Sequence, residues 1–523
     1  MEQAEKNYHI TFKKEKKPWY LTSLLPVYFI VSTVYLFFLF TLLSQWDYWF
    51  IPIIIFAEIY RLFFTITSLL CMRTIQFANF QNPQYTYTVD VLIPTLNEPI
   101  EIVEPTVRGA LSVRGINKVF VLDDGNRPFI KEMAVSLGAE YGARRSSAHA
   151  KAGNMNFGLQ LSKADFIITL DADHIPNSEF IERTIGYFND TQLAFIQTPQ
   201  SFYNTNSIQH RDVKDYPTWN EQTMFYDAIQ PAKNAYNAAF FCGSSAILRR
   251  KAIDSVGGFA TGTATEDIHT SIRIHSKGWK SLFVNEKLAF GLAADDLKEY
   301  HKQRVRWGAG SLGLLLRTKD SPLIIKNLTV MQRLGYINST LAYAQGYFKL
   351  FYYLLPIYII FSPIQYIDSR AISYLVLYIP FLLATFWITK LYSRNTYHPL
   401  YTEQYNIANI FANIQAIKGV WKIEKKFPVS IKIKKAKEIS MVFYILIAVA
   451  VLMICAELFG IVLFMTDVSV HFSERIQSSL FIGLFWNTMN LIMYSTFLYF
   501  LYTFNFKEST LLLNKSEVVG ASI

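Results

Sequence analysis

Six apolar runs decide most of what this chain can become: Trp19–Leu43, Phe50–Cys71, Leu350–Ile367, Ala371–Thr389, Met441–Met465 and Ile476–Tyr502. A bilayer core takes roughly 20 helical residues to cross, so each run is read as a membrane span. The first is roughly twice the length of a secretory signal's apolar part, and no A-x-A-like site follows it. It is therefore expected to be retained as a helix. Pro356 and Pro363 interrupt the third run, an interruption that membrane helices tolerate. Only 17% of the residues are charged, against about 25% in soluble domains, which argues against a wholly soluble enzyme and against disorder. Three cysteines, Cys71, Cys242 and Cys455, lie far apart in sequence, so neither a disulfide framework nor a structural zinc site is expected.

The joints between runs carry the orientation. Ser44–Trp49, Asp368–Arg370 and Thr466–Arg475 contain no lysine and two arginines, whereas Lys418–Lys437 holds eight lysines against Glu424 alone. Lys13, Lys14, Lys16 and Lys17 lie on that basic side, as does everything between Gln84 and Gln345. Positive-inside bias thus places both termini and the central region in the cytoplasm, in a cell (plasma or inner) membrane. The net charge of +10 reads as a topology signal and an attraction to an anionic lipid bilayer, with no nucleic acid partner.

The central region has another character. Val89–Pro94, Lys118–Asp123, Asp165–Asp171 and Ala194–Gln197 are short β-branched runs, separated by amphipathic stretches such as Ile130–Leu137. Such runs predict parallel strands buried between helices. Most end in polar or acidic residues, where α/β sheets put their ligands.

Asp171-Ala-Asp173 offers two carboxylates at i and i+2 just past a strand. That pair suits a hard divalent cation shared with a diphosphate, although a solvated acidic turn has the same sequence. Asp123-Asp124-Gly125 follows another strand, where Asp and Gly also favour ordinary turns. Thr265-Glu266-Asp267 is expected to open a helix, and Asp267 suits its dipole. Further on, Gln303 and Trp307 stand at i and i+4 of a helix with Arg306 beside them. They are read as a bidentate clamp and a stacking face, or as a membrane-interface helix.

Taken in order, these pieces resemble the processive family-2 glycosyltransferases of the bacterial cellulose synthase type. The resemblance rests on Asp90–Pro99 (DVLIPTLNEP), Asp123–Gly125, His149–Asn154 (HAKAGN), Asp171–His174 (DADH), Gln197–Pro199 (QTP), Phe240–Ser244 (FFCGS), Thr265–Asp267 (TED) and Gln303–Trp307 (QRVRW). It covers roughly residues 89–313. Phe427–Lys432 (FPVSIK) also looks like that family's gating loop.

The resemblance implies a multi-pass α-helical membrane protein with an inserted cytoplasmic α/β GT-A (Rossmann-like) glycosyltransferase domain. Its divisions are expected at 1–83, 84–320, 321–439 and 440–523. It further implies an inverting enzyme that takes a UDP-sugar donor, most simply UDP-glucose. The growing β-linked polysaccharide acceptor is extruded through the enzyme's own helices, with export or homo-oligomer partners possible. By the same resemblance Asp267 is the general base, with Glu266 beside it, and Asp173 with Asp171 holds Mg²⁺ or Mn²⁺. Asp124 holds the nucleotide, and Lys151 and Arg306 lie near the diphosphate. Trp307, with Cys242 and His174, lines the acceptor end. Thr95, Glu98, Asp123, Asp171 and Gln303 complete the substrate set, and Phe427, Val429, Ser430 and Lys432 form the gating loop.

There are departures and alternatives. Six runs replace the family's usual eight spans, and the PilZ domain that senses c-di-GMP is expected to be absent. The motifs define sugar transfer rather than linkage. A non-processive transferase that adds one sugar to a lipid carrier is the alternative enzyme, and a transporter or inactive scaffold the alternative class. Glu58, Arg61 and Glu457 within the apolar runs are costly there, and read either as a substrate path or as buried or snorkelling charges.

Overall fold

The computed structural model describes residues 10–15, 19–42, 49–213, 219–362, 371–421, 441–470 and 474–520. Helices α1 (Trp19–Leu42) and α2 (Ile51–Met72) come first, and a small antiparallel pair, Phe12–Lys14 with Gln76–Ala78, ties the N-terminal segment to the end of α2. Seven strands then build one sheet: β1 (Val89–Thr95), β2 (Lys118–Asp123), β3 (Glu140–Gly142), β4 (Phe166–Thr169), β5 (Leu193–Gln197), β6 (Ala246–Arg249) and β7 (Lys280–Phe283). Their order is β7-β5-β6-β4-β1-β2-β3.

The β1 side chains are buried on both faces, as the unbroken apolar run requires. Val91 and Ile93 face a core shared with Val103 and Val107 of α3 (Ile100–Leu111) and with Ile130 of α4 (Pro128–Ser136). Leu92 points the other way, into a core with Met155 and Leu159 of α5 (Ala150–Leu161). This is the period-two alternation of a strand covered on both sides.

The four strands expected from sequence all run in one direction, and a further strand, β6, enters between two of them the other way. β1, β2, β3 and β4 are parallel, and β7 is parallel to β5, but β6 runs antiparallel between β4 and β5. Ala246 therefore pairs with both Thr169 and Gln197. The reversal brings the loop preceding β6 to the edge where β1, β2, β4 and β5 end.

Two helices follow from the same layer, α6 (Glu266–Ser276) and α7 (Leu297–Arg317). After them come α8 (Val330–Leu341), α9 (Gln345–Phe361), α10 (Ala371–Tyr392), α11 (Pro399–Trp421), α12 (Met441–Val470) and α13 (Glu474–Gly520). A Cβ on Gly308 of α7 would lie 2.7 Å from the Ala416 Cβ of α11, so these two helices touch almost backbone to backbone. Arg317 Nη1 also donates to the Val420 carbonyl at 2.5 Å. The bundle is joined by polar contacts where helices cross: Tyr28 with Thr385 at 2.9 Å, and Asn338 Nδ2 donating to Thr67 Oγ1 at 2.7 Å.

Among the described residues four segments are long and apolar enough to cross a membrane: Ser23–Thr41, Ile51–Met72, Ser373–Tyr392 and Met441–Thr466. The other two expected spans do not qualify. α9 has 17 residues, about 26 Å at 1.5 Å per residue, a little short of a bilayer core. The run Ile476–Tyr502 lies within the 47-residue α13 and is diluted by Asn487, Thr488, Asn490, Ser495 and Thr496. Of the costly charges, Glu58 and Arg61 form an ion pair at 2.5 Å and Tyr352 donates to Glu58 at 2.7 Å. Glu457 accepts from Asn487 and Thr488, both at 2.7 Å. Each thus has polar partners inside the bundle.

Candidate active site

The carboxylates converge where strands end. β4 stops at Thr169, and the chain turns through Asp171 and Asp173, with the His174 amide donating to the Asp171 carbonyl at 3.0 Å. Asp173 and His174 are buried, and their Oδ1 and Nδ1 lie 3.2 Å apart. Asp171, Asp173 and His174 each offer a ligand atom within 4.8 Å of the others. His174 Nε2 has no hydrogen-bond partner, although it is buried. Gly291 leaves room for this ring, because a Cβ there would meet it at 2.5 Å. Two carboxylates and an imidazole fit a divalent cation of the Mg²⁺ or Mn²⁺ kind. His174, expected at the acceptor end, lies beside these two aspartates.

Lys151 comes from the first turn of α5. Its Nζ sits 2.6 Å from Asp171 Oδ1, donates to the Gly243 carbonyl at 2.8 Å, and lies 3.7 Å from Glu266. Burial works against both charges, yet each holds its partner ionised: Asp171 lies below the usual carboxylate range and Lys151 above the usual ammonium value. The turn that delivers Lys151 is left-handed at both His149 (φ 62°) and Ala150 (φ 45°), which is costly for residues with a side chain.

Asp267 stands in the first turn of α6, and Oδ1 accepts from the Ile268 amide at 2.8 Å. Burial, then the neighbouring Glu266 carboxylate, pushes its carboxyl up to about 7. Gly243, at φ 87°, faces it: a Cβ there would lie 3.2 Å from both Asp267 Oδ2 and Lys151 Nζ. The same loop supplies Ser244, whose hydroxyl accepts from the Asp171 amide at 2.9 Å. Cys242 donates its amide to Gln197 Oε1 at 2.7 Å, and burial raises its thiol pKa.

α7 closes this side. A Cβ on Gly310 would fall 2.7 Å from Thr265 Cγ2, so α7 runs directly over the start of α6. Tyr343 lies within electrostatic reach of Arg304, Asp267 and Cys242, which links Asp267 to the motif on α7. Gln303 Oε1 lies 3.5 Å from Gln209 Nε2. Arg306 and Trp307 are half-buried.

The remaining expected contacts sort into two kinds. Asp123 is fully buried and accepts from the Gly125 amide (2.9 Å), the Arg127 amide (2.7 Å) and Tyr141 (3.2 Å). That carboxylate holds the turn, a local backbone role. Thr95 and Glu98 are bonded to each other at 2.7 Å and to Arg127. Asp124, by contrast, meets Arg144 as a two-pronged pair at 2.5 and 2.6 Å. Arg144 also donates to the Ala148 and Ala150 carbonyls at 2.6 and 2.9 Å, so it braces the left-handed turn before Lys151. Sequence reasoning does not single out Arg144, whose one available signal is its place just upstream of HAKAGN. Phe427, Val429, Ser430 and Lys432 lie outside the described residues.

A family model described as glycosyl transferase family group 2 matches residues 166–388. Over 263 residues the chain is 41% identical to the cellulose synthase 1 catalytic subunit (UDP-forming) of Komagataeibacter xylinus, covering 49% of this chain and 35% of that protein. It is 36% identical over 263 residues to a cellulose synthase catalytic subunit (UDP-forming) of Xanthomonas axonopodis pv. citri (strain 306), covering 50% of this chain and 36% of that protein. The matched part thus amounts to about a third of the length of these two curated relatives. Among solved structures it is similar to the mannosyltransferase PcManGT from Pyrobaculum calidifontis in complex with GDP-Man and Mn²⁺. The identity is 16% and the TM-score 0.41, over 77% of this chain and 99% of that one.

Proposed function

Because the chain carries a family-2 glycosyltransferase domain of the cellulose synthase kind, we propose that it polymerises a UDP-sugar, UDP-glucose first, into a β-linked polysaccharide. The observation that carries this reading is Asp267, a buried carboxylate pushed up to about 7. It shares the open face of Gly243 with Lys151, which is itself paired with the metal-type turn at Asp171. A base and a cation are thereby held against one glycine.

In the proposed reaction an acceptor hydroxyl gives its proton to Asp267 Oδ2 as its oxygen bonds to the sugar's anomeric carbon. The bond from that carbon to the diphosphate breaks, and the configuration inverts. A base placed near neutrality is matched to this proton transfer. Lys151 and Arg306 offset charge on the departing UDP, and Asp124, fixed by Arg144, receives the nucleoside. A divalent cation at Asp171, Asp173 and His174 would stabilise the same diphosphate charge when bound. Trp307 offers the acceptor a flat face, since sugar rings pack their C–H edges on indole.

The apolar helices support a membrane setting. Val27, Phe29, Ile30, Phe37, Phe56 and Met465 are exposed on their outer faces, an apolar surface far larger than water-facing proteins keep. We read the bundle as embedded, multi-pass, with the sheet layer on the cytoplasmic side. Polymer extrusion through the bundle, the boundaries at 84 and 320, and the gating role of Phe427–Lys432 belong to the same proposal.

The test is purified protein in detergent, supplied with a panel of UDP-sugars and with Mg²⁺ or Mn²⁺, followed by linkage and length analysis of the product. UDP-glucose is expected to yield a β-glucan of many units. A product of one sugar, or none with any donor, would overturn the processive reading.

A further inference from the structure

Two charged residues close to the site, Glu221 and Arg304, take no part in the chemistry proposed above. Arg304 occupies α7 three residues before Trp307, so both lie on one helix face. Its guanidinium carbon lies 4.3 Å from the centre of the Trp307 ring and 4.8 Å from that of Tyr300. Arg304 is 8% exposed and forms an ion pair with Glu221, whose side chain is 7% exposed. Glu221 is held in turn, since Oε1 accepts from Gln209 Nε2 at 3.1 Å and Oε2 accepts from the Tyr300 hydroxyl. Gln209 Nε2 also lies 3.5 Å from Gln303 Oε1.

Replacing a buried ion pair by apolar groups of similar size is often neutral or stabilising, so stability alone gives no reason for charges here. A planar cation against an indole does give one. Arg stacks on aromatic faces and Lys does not match that geometry, and the attraction is stronger when desolvated. With Arg304 over one face, only the other face of Trp307 is left for a ligand.

We propose that Glu221 and Arg304 are a positioning pair that fixes the plane of the Trp307 indole and so sets how the sugar acceptor is received. The proposal rests on the reading of Trp307 as the acceptor platform. Gln209 extends the same control to Gln303, so Gln209 and Glu221 bear on the two ends of the QRVRW motif.

The test uses the full chain in detergent, with 5-fluorotryptophan incorporated and the Trp307 resonance assigned by its loss in Trp307→Phe. Arg304→Lys keeps the ion pair but loses the planar stack. Glu221→Gln with Arg304→Gln removes both charges, so neither is left buried and unpaired. Both variants are expected to move or broaden the Trp307 resonance while UDP affinity stays within about twofold. Polymer formation should fall at least about tenfold relative to hydrolysis of the UDP-sugar, the mark of a lost acceptor interaction. A Trp307 resonance unmoved in both monodisperse variants overturns the pair's role, as does polymer of parental length and rate. If the parent makes no polymer, the acceptor reading falls, and the resonance still decides whether this pair positions the indole.

Discussion

Lys151 Nζ lies 2.6 Å from Asp171 Oδ1 and 2.8 Å from the Gly243 carbonyl, so one ammonium ties the turn after β4 to the loop before β6. The tie exists because β6 is antiparallel, which returns that loop to the ligand-bearing edge. Four consequences of this arrangement are open to direct measurement.

Lys151→Met removes the cation and leaves Asp171 and Glu266 facing each other without compensation. Polymer synthesis should fall at least about 10²-fold and UDP affinity about tenfold, since a close charge partner of a diphosphate is lost. Lys151→Arg should not rescue it, because the space beside Gly243 is filled to 3.2 Å. Calorimetric titration with UDP and steady-state turnover measure both effects, and parental values in Lys151→Met would refute the role.

The cation site gives a separate test. Asp173→Ala should abolish transfer, as should EDTA on the parent, with recovery on adding Mg²⁺ or Mn²⁺. His174→Ala should weaken Mn²⁺ binding, read by electron paramagnetic resonance, by at least about tenfold. Full turnover in a metal-free preparation would remove the assignment of Asp171 and Asp173.

For Asp267 the sign follows from its raised carboxyl. With a value of about 7, the base is protonated in acid and ionised above neutrality. The rate should climb about tenfold per pH unit below that point and level off above it. Asp267→Asn should lose at least about 10² in turnover, keep UDP binding, and abolish that acidic limb. Loss of UDP binding together with turnover would make Asp267 a structural residue.

Gly243→Ala tests the shared wall. Its φ of 87° costs about 1–2 kcal/mol for a residue with a Cβ, and the new methyl would press on Asp267 and Lys151 together. The melting temperature should drop, and the residual activity should fall further than that loss of stability explains. An active, equally stable Gly243→Ala would show that the loop yields freely.

The strands at Val89, Lys118, Phe166 and Leu193 were legible because each is an apolar run buried on both faces. β6 was not, since Ala246–Arg249 is short and nothing in its residues encodes direction. The motif residues Asp171, Asp173, Asp267 and Lys151 were legible as chemistry, and the fold brings them together. Asp123 reads as a ligand or as a turn residue in sequence, because a DDG turn has the same letters in either role, and the fold shows its bonds within the turn. Arg144 and Glu221 stayed hidden for a different reason: each gains meaning only from a partner distant in sequence, Asp124 for one and Arg304 for the other.

The near-contact of Gly308 with Ala416 bears on how this protein can be handled at the bench. A water-soluble excision ending near residue 320 would retain every aspartate of the site, and α7 as well. It would lack α11, the bed on which that helix rests, and the QRVRW motif beside Gly308 would lose that support. Such a fragment should still capture UDP-sugar and pass the sugar slowly to water, giving assays that report a hydrolase. Detergent or nanodisc preparations of the whole chain are therefore the ones in which chain elongation is observable.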